Sequence, residues 1–321
     1  MANPTYTAGS YAGEFSGKIL GAALLSASTL DAGAITIMPN VKYKSVLQVG
    51  AWANVVKGAS CDFDSTTTTL TLTEKVLEVK ELQANAQLCK KELRDEWQAV
   101  EMGFSAFSEI PGSFEEYVIS RVAAQVADAT ETSIWAGAAG ADDFDGFEAL
   151  CAADGDVVDV AAAGGGVDSA NVIAEMGKVI DAANTASLAK SDITLYVSQN
   201  VARAYIRALG GFGILQNVAG TDNVSSIGAN GVNNLGTTWY SGGSALSFEG
   251  IPVFVCNGMS NNQMILTYKS NLFFGTGLLS DHNEVRFIDM ADKDGSQNVR
   301  VIMRYTAGCQ IGVGADIVYY S

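Results

Sequence analysis

The chain has 321 residues, of which 48% are hydrophobic and 17% charged, and its formal net charge at pH 7 is −16. A chain this apolar can bury a large core, which excludes general disorder. It has no run of 18 apolar residues and no cluster of lysines and arginines, so we expect a soluble protein that does not bind nucleic acid tightly or sequence-specifically.

The first 80 residues predict an arm followed by a hairpin. Residues 1–40 are rich in Ala, Gly, Ser and Thr, which indicates an extended or partly ordered arm. In Val41–Lys80, apolar residues alternate loosely on both sides of a tip at Lys57-Gly58-Ala59-Ser60, which predicts a long β-hairpin. A two-stranded ribbon is marginally stable alone in water, so we expect its partner elsewhere, for example on another copy of the chain.

Two helices are predicted next. Apolar residues recur every three or four positions from Glu81 to Met102, which favours an amphipathic helix. A second helix is predicted to begin at Ser113, which forms a capping box with Glu116, and to end at Gly137. At ~1.5 Å per residue this second helix is about 36 Å long, so it needs an equally long surface to lie on.

The middle of the chain is acidic and rich in glycine. Residues 138–190 hold ten acidic and two basic residues, which amounts to half of the net charge. Helices are predicted over Ser169–Ala186 and Gln199–Leu209, with a strand over Ile193–Val197 between them. Residues 210–243 show little periodicity and predict long loops, which in compact domains are often functional.

The last third of the chain predicts short strands divided by Gly, Asn, Asp and Ser. These strands are Ala245–Phe248, Val253–Cys256, Met264–Tyr268, Leu272–Phe274, Val285–Asp289, Val299–Thr306 and Ile311–Tyr319. The predicted class is α+β, with helices and antiparallel strands segregated along the chain.

Little in the sequence indicates catalysis. The single histidine, His282, directly follows Ser280 and Asp281, and three consecutive side chains cannot form a catalytic triad. Asp143 and Asp145 resemble part of a calcium loop, but alanine occupies its first and last ligand positions. We therefore predict no catalytic residue, no cofactor, no metal site and no enzymatic activity.

The five cysteines are odd in number and have no C-x-x-C spacing, so we interpret them as buried thiols of a reducing compartment. A disulfide between Cys61 and Cys89 stays open as an alternative.

The order of these elements resembles the major capsid proteins of tailed bacteriophages, which have the Hong Kong 97-like fold. The resemblance rests on an arm, a long hairpin, a long helix and a strand-rich end, and on short phrases in the sequence. These phrases are Ser113-Phe114-Glu115-Glu116-Tyr117, Gly250-Ile251-Pro252-Val253, Asn271-Leu272-Phe273-Phe274-Gly275-Thr276, Ser280-Asp281-His282-Asn283-Glu284-Val285 and Gly308-Cys309-Gln310-Ile311.

The resemblance implies four parts of the chain. Residues 1–40 would be the N-terminal arm and residues 41–80 the extended E-loop. Residues 81–140 and 281–308 would form the peripheral domain, and residues 141–280 and 309–321 the axial domain.

The resemblance also assigns roles to individual residues. Trp52, Lys57 and Gly58 of the E-loop would contact a neighbouring subunit. Three apolar residues would belong to the spine helix, namely Phe114, Val118 and Val122, and Gly211, Phe212 and Gly213 would lie in loops at the centre of each capsomer. Some family members cross-link a hairpin Lys to an Asn, for which Lys57 would be the candidate, but no Asn can be matched and we expect noncovalent assembly.

The implied function is structural: hexamers and pentamers of the chain would build an icosahedral shell around double-stranded DNA. Its partners would be other copies of itself, a portal, and scaffold or decoration proteins, with DNA nearby without specific binding and no membrane. We expect assembly in the cytoplasm of a bacterial host and a final location in the virion capsid. An encapsulin-like protein compartment and a soluble hydrolase remain as alternatives.

Overall fold

The computed structural model describes residues 28–53, 56, 58–59, 61, 69–89, 112–140, 143–209, 246–277 and 285–321. Within these ranges no helix combines the length and the apolar character needed to cross a bilayer. The described elements form two sheets with helices packed against them, and a separate two-stranded ribbon.

The first sheet has five strands organised around one long central strand. The 14 residues of β12 (Asn298–Ile311) pair with β4 (Lys80–Cys89) along most of their length. They also pair with β11 (Val285–Asp289) near one end and with β10 (Leu272–Gly275) near the other. The strand β1 pairs in parallel with β10. The strands of this sheet are β1 (Thr36–Met38), β4 (Lys80–Cys89), β10 (Leu272–Gly275), β11 (Val285–Asp289) and β12 (Asn298–Ile311).

The second sheet has six strands in the order β5-β13-β9-β6-β8-β7. Its strands are β5 (Val158–Val160), β6 (Ile193–Ser198), β7 (Ser247–Phe248), β8 (Ile251–Cys256), β9 (Met264–Tyr268) and β13 (Val318–Tyr320). The pairs β5–β13 and β6–β8 are parallel, so this sheet is mixed. The prediction of antiparallel strands is wrong for these two pairs.

Seven α-helices lie within the described residues. They are α1 (Ser28–Asp31), α2 (Gly112–Ala136), α3 (Phe147–Ala153), α4 (Val172–Asp181), α5 (Thr185–Leu188), α6 (Gln199–Leu209) and α7 (Ala291–Asp294). The long helix predicted from Ser113 is confirmed as α2, and the prediction for Gln199–Leu209 is confirmed by α6 with the same bounds. The helix predicted over Ser169–Ala186 is shorter, because α4 ends at Asp181 and α5 begins separately at Thr185.

The main core lies where the end of α2 meets both sheets. Trp135 is fully buried and stacks against Phe147 of α3 and Tyr196 of β6, with ring centroids 5.4 and 5.3 Å apart. Aromatic pairs at such distances add stability beyond the area that they bury. A second core lies under α4 and α6, where Met176 and Val201 pack against the six-stranded sheet.

The predicted hairpin is confirmed over the part that the structure describes. The strands β2 (Lys44–Ala53) and β3 (Thr69–Glu78) pair antiparallel, from Lys44 opposite Glu78 to Ala53 opposite Thr69. At ~3.3 Å per residue each ten-residue arm is about 33 Å long. Of the predicted tip, Lys57 and Ser60 lie outside the described residues.

The amphipathic helix predicted over Glu81–Met102 is wrong for its first part, which forms β4. The spacing of Leu82, Ala86 and Cys89 fits a helix, but Leu82, Ala84 and Ala86 also alternate with the exposed Glu81, Gln83 and Asn85. Ten residues of pairing with β12 favour the strand over the local helical pattern. The rest of the predicted helix lies outside the described residues.

The strand predicted over Ile311–Tyr319 is also wrong in its bounds. The preceding strand does not stop at Thr306 but runs through Gly308 to Ile311, and β13 begins only at Val318. A 3-10 turn over Gly314–Asp316 separates them. Glycine usually weakens a strand, which is why Gly308 suggested a break.

Candidate functional site

One face of the hairpin carries apolar side chains that its own chain leaves uncovered, both beside the root and farther out. Val46 lies directly opposite Val76, and Gly50 lies opposite Leu72, so Val46, Val76 and Leu72 share one face of the ribbon. Leu72 is 60% exposed and Val46 is 51% exposed. The polar pair of Gln48 and Glu74 lies between them on this face, so the exposed apolar groups are separated by polar ones. Several exposed apolar groups on one face mark a surface that binds another molecule.

Exposed large apolar residues are concentrated on this hairpin and its entry. Five of the seven in the described part of the chain fall between residues 43 and 76, and they are Tyr43, Val46, Val56, Leu72 and Val76. The other two, Val158 and Ile173, are isolated on the second sheet and on α4. Single exposed apolar residues are ordinary, whereas the group on the hairpin is not.

The root of the hairpin is packed tightly against the five-stranded sheet. Leu77 is fully buried and forms a small cluster with Val41 and Val79. A Cβ at Gly275 of β10 would lie 2.8 Å from Leu77 Cδ2, and a Cβ at Gly308 of β12 would lie 2.2 Å from the carbonyl oxygen of Glu78. Glycine at these two positions therefore permits the close approach of the hairpin to the sheet.

Polar contacts fix the root as well. The Nε2 atom of Gln310 donates a hydrogen bond to the carbonyl oxygen of Val76 at 2.7 Å. The Nζ atom of Lys80 donates to the carbonyl oxygens of Asp143 at 2.9 Å and Gly140 at 3.2 Å, beyond the end of α2. The hairpin therefore leaves the body of the protein in a defined direction.

One ion pair joins the hairpin to the loop before β5. The Lys75 ammonium contacts the Asp154 carboxylate, and both side chains are largely shielded from solvent. Burial alone would raise the pKa of Asp154, but the hydrogen bonds from Lys75 and from the backbone N–H of Asp156, with the charge of Lys75, outweigh it and lower this pKa. The ion pair therefore links the hairpin to the loop that leads into the second sheet, in addition to the packing of its root against the first sheet.

Buried hydrogen bonds join the long helix α2 to Thr29 in the N-terminal segment. The Thr29 hydroxyl and backbone N–H both donate to the carboxylate of Glu131, and Trp135 Nε1 donates to the Thr29 hydroxyl at 2.8 Å. All three residues are fully buried. Buried polar groups that are mutually satisfied fix a unique arrangement, so Thr29, which lies within the predicted arm, belongs to the folded body.

The predicted spine-helix residues lie on α2, as expected for their place in the chain. Val122 is half-buried and packs against the main core, while nothing is described for the side chains of Phe114 and Val118. Between α2 and β4 lies a groove of about 930 Å³ that Val122 and Leu82 help to line.

The other predicted contact residues can be placed only in part. Trp52 pairs with Leu70 in the hairpin register, and Gly58 is exposed with open space around it. Lys57 and the loop residues Gly211, Phe212 and Gly213 lie outside the described residues. Their assigned contacts stay predictions.

Sequence reasoning found the hairpin but missed what holds its root. Lys75 and Asp154 are 79 positions apart and Gln310 and Val76 are 234 apart, and no local pattern connects them. The glycines at 275 and 308 were the one available signal, because a glycine inside a strand indicates a close backbone approach.

The buried thiols have an environment that disfavours nucleophilic chemistry. Burial raises the pKa of Cys151 to about 12 and raises the pKa values of Cys256 and Cys309 well above the ordinary range. Cys61 is exposed and Cys89 half-buried, so the interpretation of all five as buried is wrong for these two, and all five are free. Among the described residues no group of His, Cys, Asp and Glu could hold a metal ion, and His282 lies outside them.

No protein-family model matches the sequence, and no curated protein is significantly similar to it. Solved structures, however, are similar over nearly the whole chain. The capsid of a native GTA particle aligns with a TM-score of 0.62 at 15% sequence identity, covering 99% of this chain and 95% of that one. The chain has the Hong Kong 97-like capsid fold.

Phage structures align in the same way. The capsid of Myoviridae phage XM1 aligns with a TM-score of 0.55 at 10% identity, covering 95% of this chain and 94% of that one. A structure of Mycobacterium phage Che8 aligns with a TM-score of 0.52 at 10% identity, covering 100% of this chain and 98% of that one. The predicted α+β class and fold are therefore confirmed, at identities too low for a residue-by-residue transfer of roles.

Proposed function

We propose that this chain is a major capsid protein, a structural subunit that assembles with copies of itself into a closed shell. The observation that carries the proposal is the hairpin, whose root is fixed to the body while its outer apolar face is left uncovered. A projecting ribbon of this kind gains stability only when another surface covers it. The capsid fold of the similar structures supports the same function.

The finer details of the proposal follow the resemblance. The shell is icosahedral and is built from hexamers and pentamers, and the hairpin lies across a neighbouring subunit. The parts of the chain are those expected above, namely arm, E-loop, peripheral domain and axial domain, except that α1 and β1 belong to the folded body and not to the arm. The loop around Gly211–Gly213 lies at the centre of each capsomer. The chain acts without enzymatic activity.

The proposed content of the shell is double-stranded DNA, held without specific contacts. Ten acidic residues in the segment 138–190 against two basic ones would repel phosphates, so an inner wall made from this segment would not adhere to packaged DNA. The additional proposed partners are a portal and scaffold or decoration proteins. Assembly takes place in the cytoplasm of the host bacterium, and the protein resides in the virion capsid.

Electron microscopy of the purified full-length protein tests the proposal. We expect rings of subunits or closed shells of uniform size. A monomer that stays monomeric at high concentration would contradict the proposal, and shells that co-purify with an enzyme cargo would favour a protein compartment instead.

Deletion of Ser45–Thr73 tests the role of the hairpin. This change removes the outer ribbon and leaves most of the root cluster, so we expect a soluble protein that forms single capsomers or smaller species and no closed shells. Normal particles from the deletion variant would show that the hairpin is not needed for closure.

A further inference from the structure

The two sides of the six-stranded sheet differ in charge. The strand β5 forms one edge of this sheet, whereas α6 packs over β6 and β8, toward the opposite edge. Acidic side chains surround β5, and basic side chains lie on α6. In a ring of identical subunits joined head to tail, one side of each subunit meets the opposite side of the next.

The basic side consists of Arg203 and Arg207, one turn apart on α6. Both are exposed, because the apolar side chains of α6 face the second core. Within the described part of the chain neither guanidinium has a carboxylate partner. They border a depression of about 300 Å³ together with Asp168, whose carboxylate already accepts hydrogen bonds from the backbone N–H groups of Ala170 at 2.8 Å and Asn171 at 3.0 Å.

The acidic side consists of Asp156 and Asp159, at the start of β5 and within it. Both are exposed, and Val158 between them is 37% exposed. Asp154 lies close by but is neutralised by Lys75, which leaves Asp156 and Asp159 without an ion pair among the described residues. Carboxylates on an edge strand prevent indiscriminate strand pairing, yet they also provide a surface for a complementary cation.

We propose that Arg203 and Arg207 of one copy bind Asp156 and Asp159 of the next copy, and that these ion pairs set the orientation of subunits within a ring. This inference rests on the proposed function, because it requires copies arranged in rings. Arginine suits the role, since its planar guanidinium forms paired hydrogen bonds with a carboxylate. The contact joins two different surfaces, so it links copies head to tail and not as two-fold dimers, and it gives a ring where the rotation between copies closes.

Charge reversal tests this pairing. The double variants Arg203→Glu/Arg207→Glu and Asp156→Lys/Asp159→Lys each place like charges across the contact, and juxtaposed like charges cost enough to weaken ring formation roughly a hundredfold. The variant with all four changes restores opposite charges with reversed polarity and should form rings again. Analytical ultracentrifugation and electron microscopy measure the loss and the recovery.

An equimolar mixture of the two double variants gives a sharper result. Each variant repels itself, but each attracts the other on both sides, so the two must alternate around a ring. Even-numbered rings such as hexamers should form, and pentamers should not. Native mass spectrometry counts the subunits of each kind in the rings.

A control variant separates charge location from charge number. Lys293→Glu/Arg304→Glu changes the net charge by the same amount as Arg203→Glu/Arg207→Glu, at exposed positions on α7 and on β12 of the first sheet, and it should form rings like the wild type. Urea unfolding of each variant verifies that the fold is intact, and Arg203→Gln/Arg207→Gln provides a milder change if the reversal unfolds the protein.

The outcomes are distinguishable from failure of the proposed function. If the wild-type chain forms no rings, the proposed function is wrong and this inference falls with it. If the wild type forms rings and Arg203→Glu/Arg207→Glu forms them equally well, the pairing is wrong while the proposed function stands. The same holds if the variant with all four changes does not recover ring formation.

Discussion

The root and the outer part of the hairpin belong to the same two strands but lie in different surroundings. At the root, Leu77 is fully buried between β10 and β12. In the outer part, Leu72 of the same strand is 60% exposed. The two leucines are five positions apart and therefore lie on opposite faces of β3, of which only the face of Leu77 is covered at the root.

This difference supports the proposal that the outer part of the hairpin binds a surface outside its own chain. Apolar area contributes about 25 cal/mol per Å² only when it is removed from water. At the root this gain is made within the chain and stabilises the monomer. In the outer part the gain is available only on association, so changes there should affect assembly and leave the stability of the monomer unchanged.

Truncation at the root should give the largest effect on stability. Leu77→Ala removes a fully buried side chain that packs against Gly275, so we expect a loss of about 2–5 kcal/mol in the free energy of unfolding. Urea unfolding of the unassembled protein measures this loss. An unchanged unfolding midpoint would show that the root is not packed as described.

The matching change on the exposed face of the hairpin should affect assembly alone. Val46→Ser/Leu72→Ser makes the exposed face polar, so the unfolding free energy should stay within about 0.5 kcal/mol of the wild type, as for other surface changes. Shell formation, followed by light scattering and electron microscopy, should be lost or strongly delayed. Loss of monomer stability comparable to that of Leu77→Ala would mean that the outer face is covered by its own chain.

The ion pair between root and second sheet should have a smaller effect that depends on pH. Asp154→Asn leaves Lys75 without its carboxylate partner, and we expect a loss of about 1–2 kcal/mol at pH 7. Since the pKa of Asp154 is lowered in the folded state, its contribution is present above the unfolded-state pKa of about 3.9 and is lost as the pH falls through the folded-state value.

Thermal unfolding between pH 7 and pH 3 measures this contribution. The difference in midpoint between the wild type and Asp154→Asn should be largest near neutral pH and should decrease as the pH falls toward 3. A difference that grows as the pH falls would show that another group is responsible.

Much of the fold could be predicted from the sequence because its signals are local. The capping box at Ser113 and the regular apolar spacing after it define α2, and β-type runs divided by turn residues define β6, β8 and β9. β4 could not be predicted in this way, because Leu82 and Ala86 fit both periods and the choice depends on β12, more than 200 positions away in the sequence.

The candidate site could be predicted in outline only. Alternation predicted the ribbon, and the marginal stability of an isolated ribbon predicted an external partner. The contacts of Lys75 with Asp154 and of Gln310 with Val76 depend on how separate elements pack, which no local pattern encodes. The hairpin was therefore predictable as an element, whereas the distinction between its root and its outer part was not.

The smallest effect is expected at the second lysine–carboxylate pair of the hairpin. Lys44 and Glu78 are 2.9 Å apart, but their side chains are 42% and 46% exposed, whereas those of Lys75 and Asp154 are 23% and 18% exposed. Exposed ion pairs contribute little because water and salt screen them. Lys44→Ala should therefore leave the urea midpoint unchanged at every salt concentration. A destabilisation as large as that of Asp154→Asn would mean that the Lys44–Glu78 pair is shielded from solvent in the unassembled protein.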